Sequence, residues 1–428
     1  MRRSPFMRSR RSVPCPASRK KLPEDAWFLL TKRLFCEKTS LVYDSLSSLR
    51  PEKRFEHLPF PEEIVRHVPN PAGWGTGMED CMLNAGSVLE ICILRARVEL
   101  EQQQETLSFA RRILDGMEAC ATVHGRPGFV ARGISPRDGK SCYINSSRDQ
   151  FTLFVYGLWR FFHCEFTEEG ERDRIRRLLT QVADYCEQVV RPENENNLLR
   201  LDGLPGMVSQ MIDVAPHEEF RLPMFYLAAW DVSRKEKYRE LYERHADRAL
   251  EVTRSLDPAR QWWNLELVQM QISLALAAEA DPEQGRKNVI RETMRLVASL
   301  AEQAFYREEE KMRKFRGSWS QVTDPWNLAW KMTLRPETIH SDAPSLYHGL
   351  LYLKPWENRR FLEAFERMRA VGNLAVAVLL CPEYLPGRDF GERFLQVAEK
   401  PDYRNHTSGG VCNILHGYYL LMNRKSGH

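Results

Sequence analysis

LELVQMQISLALAAEA, from Leu265 to Ala280, has an acid near each end and only small, apolar or amide side chains between them. A helix of that composition is covered on most of its sides. Ile175, Leu178, Leu179, Val182, Cys186 and Val189 instead recur at three- and four-residue spacing, with Arg172, Arg174, Arg176, Arg177 and Glu187 filling the gaps. That is a helix with one dry and one wet face. Helices of both kinds alternate along the chain, as in an inner and an outer layer.

The spacing predicts helices near 24–37, 79–100, 105–122, 148–164, 170–190, 217–231, 235–255, 262–279, 284–306, 343–353, 357–380 and 407–422. Paired in order they make six hairpins, and the expected fold class is all-α, an (α/α)6 toroid. The helices starting at 79, 148, 217, 262, 343 and 407 are expected inside, and those at 105, 170, 235, 284 and 357 outside with the N-terminal helix. Strand-like alternation is scarce, and the Gly/Pro-rich stretches 69–77, 125–139 and 203–206 read as loops before helices. No internal sequence repeat is visible.

The 428 residues carry a formal charge of +4, yet eight Lys and Arg precede the first acid, Glu24, so the remainder stands at −4. Residues 1–21 are expected to be a basic disordered tail and 22–428 a single domain. A slightly acidic body argues against nucleic acid as a partner. The longest apolar stretch, near Val371 to Cys381, is too short to cross a bilayer, and no apolar segment follows the N-terminal arginines as a secretory signal requires. The expectation is a cytoplasmic protein with no membrane partner; oligomeric state leaves no mark in the sequence.

Ten cysteines occur without a CxxC pair or a Cys/His metal spacing, so no metal is implied, and most are expected to be buried reduced fillers. No P-loop, dinucleotide fingerprint or GxSxG elbow is present, so no cofactor is implied.

Polar and aromatic clusters precede or open every second helix, and a helix start presents unsatisfied amide hydrogens and a positive dipole end. Six such ends around one mouth favour anionic or hydroxyl-rich ligands. Trp74, with Gly73, Gly75 and Gly77, precedes Glu79 and Asp80 in Gly-Trp-Gly-Thr-Gly-Met-Glu-Asp. Helix capping accounts for the acids but not for the tryptophan. Gly128-Phe129-Val130-Ala131-Arg132-Gly133 is followed by Ser146-Ser147-Arg148-Asp149-Gln150, which runs directly into apolar Phe151, Leu153 and Phe154. An acid at such a boundary sits half in water and half against apolar side chains, where its pKa rises toward the range of a general acid. Asp149 is therefore the first candidate for catalytic acid/base, against a cap or an ion pair with Arg132 or Arg148. Trp262, Trp263 and Trp326 lie beside Asn264, Asp324 and Asn327, the pairing of flat apolar faces and polar neighbours that sugar sites use, although each also suits a core. His217, Tyr347, His348 and His406 add hydrogen-bonding groups at the same helix starts.

The Asp at an inner-helix start, the Gly-Phe-x-x-Arg-Gly loop ahead of it and the tryptophans resemble the six-hairpin glycosidase superfamily, most closely the unsaturated uronyl hydrolases of glycoside hydrolase families 88 and 105. The resemblance spans most of the chain after residue 22. It implies a glycoside hydrolase acting on unsaturated uronyl oligosaccharides, in which Asp149 protonates the double bond and helps water add, with Asp80 the second essential carboxylate and Glu79 beside it. Trp74, Arg132, Arg148, Gln150, His217, Trp262, Trp263, Trp326, Tyr347, His348 and His406 would line the substrate. Three rival readings stay open: a lyase using Tyr347 and His348, an epimerase using paired histidines, and a non-catalytic glycan-binding protein.

Overall fold

Helix follows periodicity through most of what the structure, a computed structural model, describes: residues 21–317, 356–406 and 409–427. In chain order the helices are α1 (Lys21–Phe28), α2 (Pro61–Val65), α3 (Cys81–Val98), α4 (Gln103–Thr122), α5 (Arg148–Phe162), α6 (Glu169–Val189), α7 (Pro216–Glu219), α8 (Arg221–Ser233), α9 (Glu236–Arg254), α10 (Asn264–Ala280), α11 (Gln284–Lys314), α12 (Trp356–Leu379), α13 (Phe390–Ala398) and α14 (Val411–Ser426). Strands among these residues are two small antiparallel hairpins. One pairs β1 (Phe35–Cys36) with β2 (Leu41–Val42), the other β3 (Asn197–Leu199) with β4 (Pro205–Gln210). The described chain is mostly helical, and no helix in it is long and apolar enough to cross a membrane.

The LELVQMQISLALAAEA stretch is α10, and its polar Gln269, Gln271 and Ser273 are as buried as Leu267 and Leu274. In α9, by contrast, Tyr238, Leu241, Tyr242, Ala246 and Ala249 form one buried stripe among exposed charges. The well-covered helices are neighbours: α3 packs on α5, α5 on α8, α8 on α10, α10 on α12, α12 on α14, and α14 returns to α3. Amphipathic helices lie against them, α4 on α3, α6 on α5 and α8, α9 on α8, and α11 on α10 and α12.

One placement differs from expectation. Alternation places the helix starting near 357 outside, yet α12 packs between α10 and α14. Its Val371, Leu374, Ala375, Val376, Ala377 and Val378 are buried on all sides, a run too apolar for an outer face. The helix expected over 343–353 lies outside the described residues, as does the tail over 1–20. Other differences are local. The single helix expected over 24–37 is α1, a π-helical turn at Leu29–Leu34 and β1; that over 217–231 is split at Phe220 into α7 and α8.

Two glycines set the α3–α5 crossing. A Cβ on Gly86 would overlap the Leu153 carbonyl oxygen, and one on Gly157 would lie 2.5 Å from Gly86 Cα. The backbones can therefore approach where any side chain would hold them apart. Deeper along the same helices, Glu90 is fully buried and accepts from Tyr156 at 2.9 Å and pairs with His416 of α14 at 2.8 Å, with Arg160 3.2 Å away. A buried carboxylate requires such partners, and here they tie α3, α5 and α14 together.

Candidate functional site

The close α3–α5 crossing places the starts of both helices side by side. Leu83 N–H donates to Gln150 Oε1 at 3.1 Å, and Gln150 Nε2 donates to Asp80 Oδ1 at 3.0 Å. Asp80 is the N-cap residue of α3, but its side chain makes no capping bond, so the carboxylate faces Gln150 and Arg132 instead. Arg132 is held by the Glu79 carbonyl at 2.8 Å and Ser147 Oγ at 3.0 Å, with Nη2 3.5 Å from Asp80 and its guanidinium 5.8 Å from the Trp74 ring centroid.

Glu79 has another task. Its two carboxylate oxygens accept the Gly75 and Gly77 amides at 2.9 and 2.7 Å and clamp the loop over which Trp74 is presented. Gly77 has φ +89°, and a Cβ there would lie 2.7 Å from His57 Nε2, so only glycine lets the loop pass.

A third acid joins from a segment that no motif marked. Asp44, just after β2, accepts the Asp80 backbone N–H at 3.1 Å and the Asn84 side-chain amide at 2.9 Å. Its own backbone bonds to Gly77 and Gly409, so the N-terminal segment is pinned between the glycine loop and the approach to α14. Burial, then the charges of Asp80 and Glu79, push the Asp44 carboxyl well above the usual carboxylate range, against the Asp80 amide and Arg132. Burial and Asp80 push Glu79 upward too.

Asp149 is set the opposite way. Arg221, fully buried at the start of α8, donates to Asp149 Oδ1 at 2.5 Å and to Gln269 Oε1 of α10 at 2.5 Å. Burial alone would raise the Asp149 pKa, but Arg221, then Arg148 and Arg132, outweigh it and hold the carboxyl below its ordinary value. The expected rise toward a general acid is therefore corrected: cations surround the group and hold it as an anion.

Farther round, Arg148 binds Glu218 at 2.6 Å and the Gln210 carbonyl at 2.8 Å. His217 stands 3.6 Å from Glu218 and 3.7 Å from Glu266, edge-on to Trp262, and burial pushes its pKa down to about 4. Trp262 is buried under Arg260 and lines a cavity of about 350 Å³ with Gln261, Gln303 and Arg307. Trp263 is 47% exposed, with Arg369 5.3 Å from its ring centroid. Side-chain amides of Asn413, Asn373 and Asn264 bond in series across α14, α12 and α10 at 2.7 and 2.8 Å.

Asp80, Arg132, Gln150 and Trp74 thus form one cluster, Asp149 with Arg221 a second, and Arg148 with Glu218 and His217 a third that reaches Trp262; the charges of Arg148 and Arg132 act on Asp149 between them. His406 is fully buried beyond the 3-10 turn at Tyr403–Asn405, away from an open surface. Trp326, Tyr347 and His348 lie outside the described residues. The thiols near these helix starts are inert fillers: burial raises Cys142 to about 11 and Cys412 to about 12. No family model, curated protein or solved structure matches the chain.

Chemically, these helix starts offer a carboxylate held as an anion, Asp149, and two held toward the neutral form, Asp44 and Glu79. Environments that push two carboxyl groups apart in this way divide acid and base roles between them.

Proposed function

We propose that the protein is a carbohydrate-active hydrolase built as an (α/α)6 toroid, with its site at the helix starts around Asp80 and Asp149. The toroid reading is supported by the neighbour order of α3, α5, α8, α10, α12 and α14, which closes on itself, and by amphipathic helices packed against that series. The hydrolase reading rests on one observation above the others: Asp149 is kept ionised by Arg221, and the next residue, Gln150, donates to a second carboxylate at Asp80.

In this reading Asp149 accepts a proton from a water molecule as the water oxygen bonds to the anomeric carbon, and that carbon's bond to the glycosidic oxygen breaks while the departing oxygen takes a proton from solvent. Asp80, fixed by Gln150 and Arg132, orients that water or the sugar hydroxyls. Trp74 and Trp263 offer flat faces for pyranose CH surfaces, and Arg132 and Arg148 suit an acidic sugar. Unsaturated uronyl oligosaccharides are the substrate class proposed from the sequence resemblance. The test is a panel of unsaturated uronyl di- and trisaccharides, followed by loss of the conjugated double bond's absorbance and by reducing-end release. Turnover of at least one member is expected; silence across that panel and a panel of neutral aryl glycosides would remove the hydrolase reading.

A further inference from the structure

We propose that the cavity between the α9–α10 loop and α11 is a binding site for a small hydroxyl-bearing organic anion, a sugar acid or a sugar phosphate. The inference goes beyond the hydrolase reading and does not rest on it: Asp149, Asp80 and Arg132 take no part in the cavity wall. The cavity holds about 350 Å³, and clefts from about 300 Å³ upward accept small organic ligands. Pro258 to Trp262 form one side of it. Leu300, Gln303, Ala304 and Arg307, spaced along one face of α11, form the other. The loop side is built before any ligand arrives. The Asp257 carboxylate accepts the Ala259 amide at 2.8 Å, and its carbonyl accepts the Trp262 indole N–H at 3.0 Å and the Arg260 backbone N–H at 3.2 Å. Arg260 lies over the Trp262 ring, 4.0 Å from its centroid, and donates to Glu266 Oε1 at 2.6 Å, so its guanidinium is held in place beside the cavity.

The groups left without partners indicate the ligand's chemistry. Arg307 is exposed and makes no hydrogen bond or ion pair among the described residues, and the same holds for the side-chain amides of Gln261 and Gln303. A planar guanidinium matches a carboxylate or a phosphate through paired N–H donors. A side-chain amide both donates and accepts, as a hydroxyl does, so Gln261 and Gln303 suit alcohol groups better than a second charge. Leu300, Ala304 and Trp262 supply the small dry part that C–H faces need. The charges also favour an anion. Glu266 offsets Arg260, the Asp257 carboxylate turns back to the Ala259 amide, and Arg307 is left over.

The test is titration calorimetry of the full chain with four probes: glucuronate, glucose 6-phosphate, glucose and inorganic phosphate. Wild type is expected to bind at least one of the two sugar anions, and the one that responds names the anionic group. Glucose and inorganic phosphate are expected to bind at least about 10-fold more weakly. Arg307→Gln removes a cation that has no partner among the described residues, so it is expected to melt with wild type and to lose at least about 10-fold in affinity for the sugar anion. Gln303→Glu, which faces the anion with a like charge, is the second variant and is expected to lose as much or more. No saturable binding of either sugar anion up to about 10 mM, phosphate alone binding as tightly, or wild-type affinity in either variant would overturn the assignment. Asp149→Asn is expected to bind as wild type does; a loss equal to that of Arg307→Gln would move the binding to the Asp149 site and overturn it too. None of these readouts uses turnover, so a silent uronyl panel would remove the hydrolase reading and leave the cavity assignment standing.

Discussion

The Arg221 guanidinium donates to Asp149 of α5 and Gln269 of α10 at once, so a single buried cation on α8 sets both the position and the charge of the site's central carboxylate. Arg221→Gln leaves Asp149 without its main counter-charge. Because Asp149's folded pKa is depressed, the stability it contributes is present above its unfolded value and is lost as pH falls through the folded one. The variant is expected to lose about 3 kcal/mol at neutral pH, the lower end for a broken buried pair because Asp149 keeps 25% of its side chain exposed. The acid limb of the kcat/KM profile is expected to move to higher pH. Urea unfolding and a pH–rate profile check the two effects.

Asp44 gives a pH dependence of opposite sign. Its folded pKa is raised, so the associated stability is fully present below the unfolded carboxylate value and drains away as pH rises through the folded one. Asp44→Asn is expected to flatten that decline and to match or exceed wild-type stability in alkali. Denaturant midpoints from about pH 5 to about pH 9 measure it; parallel curves for the two proteins would contradict the electrostatics described above.

Gly157→Ala inserts a methyl into the α3–α5 crossing, where Gly86 Cα is 2.5 Å from the new atom. Overpacking of this kind costs about 1–3 kcal/mol. Because the crossing also aligns Gln150 with Asp80, turnover is expected to fall beyond what the loss of folded protein explains, with kcat affected more than KM. Thermal melts with active-site-normalised kinetics separate the two.

Trp263→Ala removes a half-exposed indole that supports no core, so its melting temperature is expected to stay within about 2 °C of wild type. If the ring is a sugar platform, KM rises several-fold with kcat little changed. An unaltered KM on every oligosaccharide tested would place the ring outside the binding path.

Much of this arrangement is legible in sequence because helix periodicity is a local property. The burial of α10, the wet face of α6 and the acids at helix starts all follow from residues within a few turns of one another. What escapes is pairing over distance. Asp44 lies in a stretch without periodicity and meets Asp80 only through the fold, and Asp149 and Arg221 are 72 positions apart. A trace of the second was present: Arg221 opens an apolar run from Leu222 to Ala229, and a cation so placed needs a buried anion. The position of α12 is legible as well, in the all-round apolar stretch from Val371, although it breaks the regular alternation of inner and outer helices.

Asp149 is proposed as the group that takes the proton from water. Steady-state turnover of an unsaturated uronyl disaccharide by Asp149→Asn, with near-ultraviolet circular dichroism to confirm the fold, tests this most directly. A loss of about 10²- to 10⁴-fold in kcat with KM nearly unchanged is the expected result. A folded variant that retains wild-type turnover would contradict it.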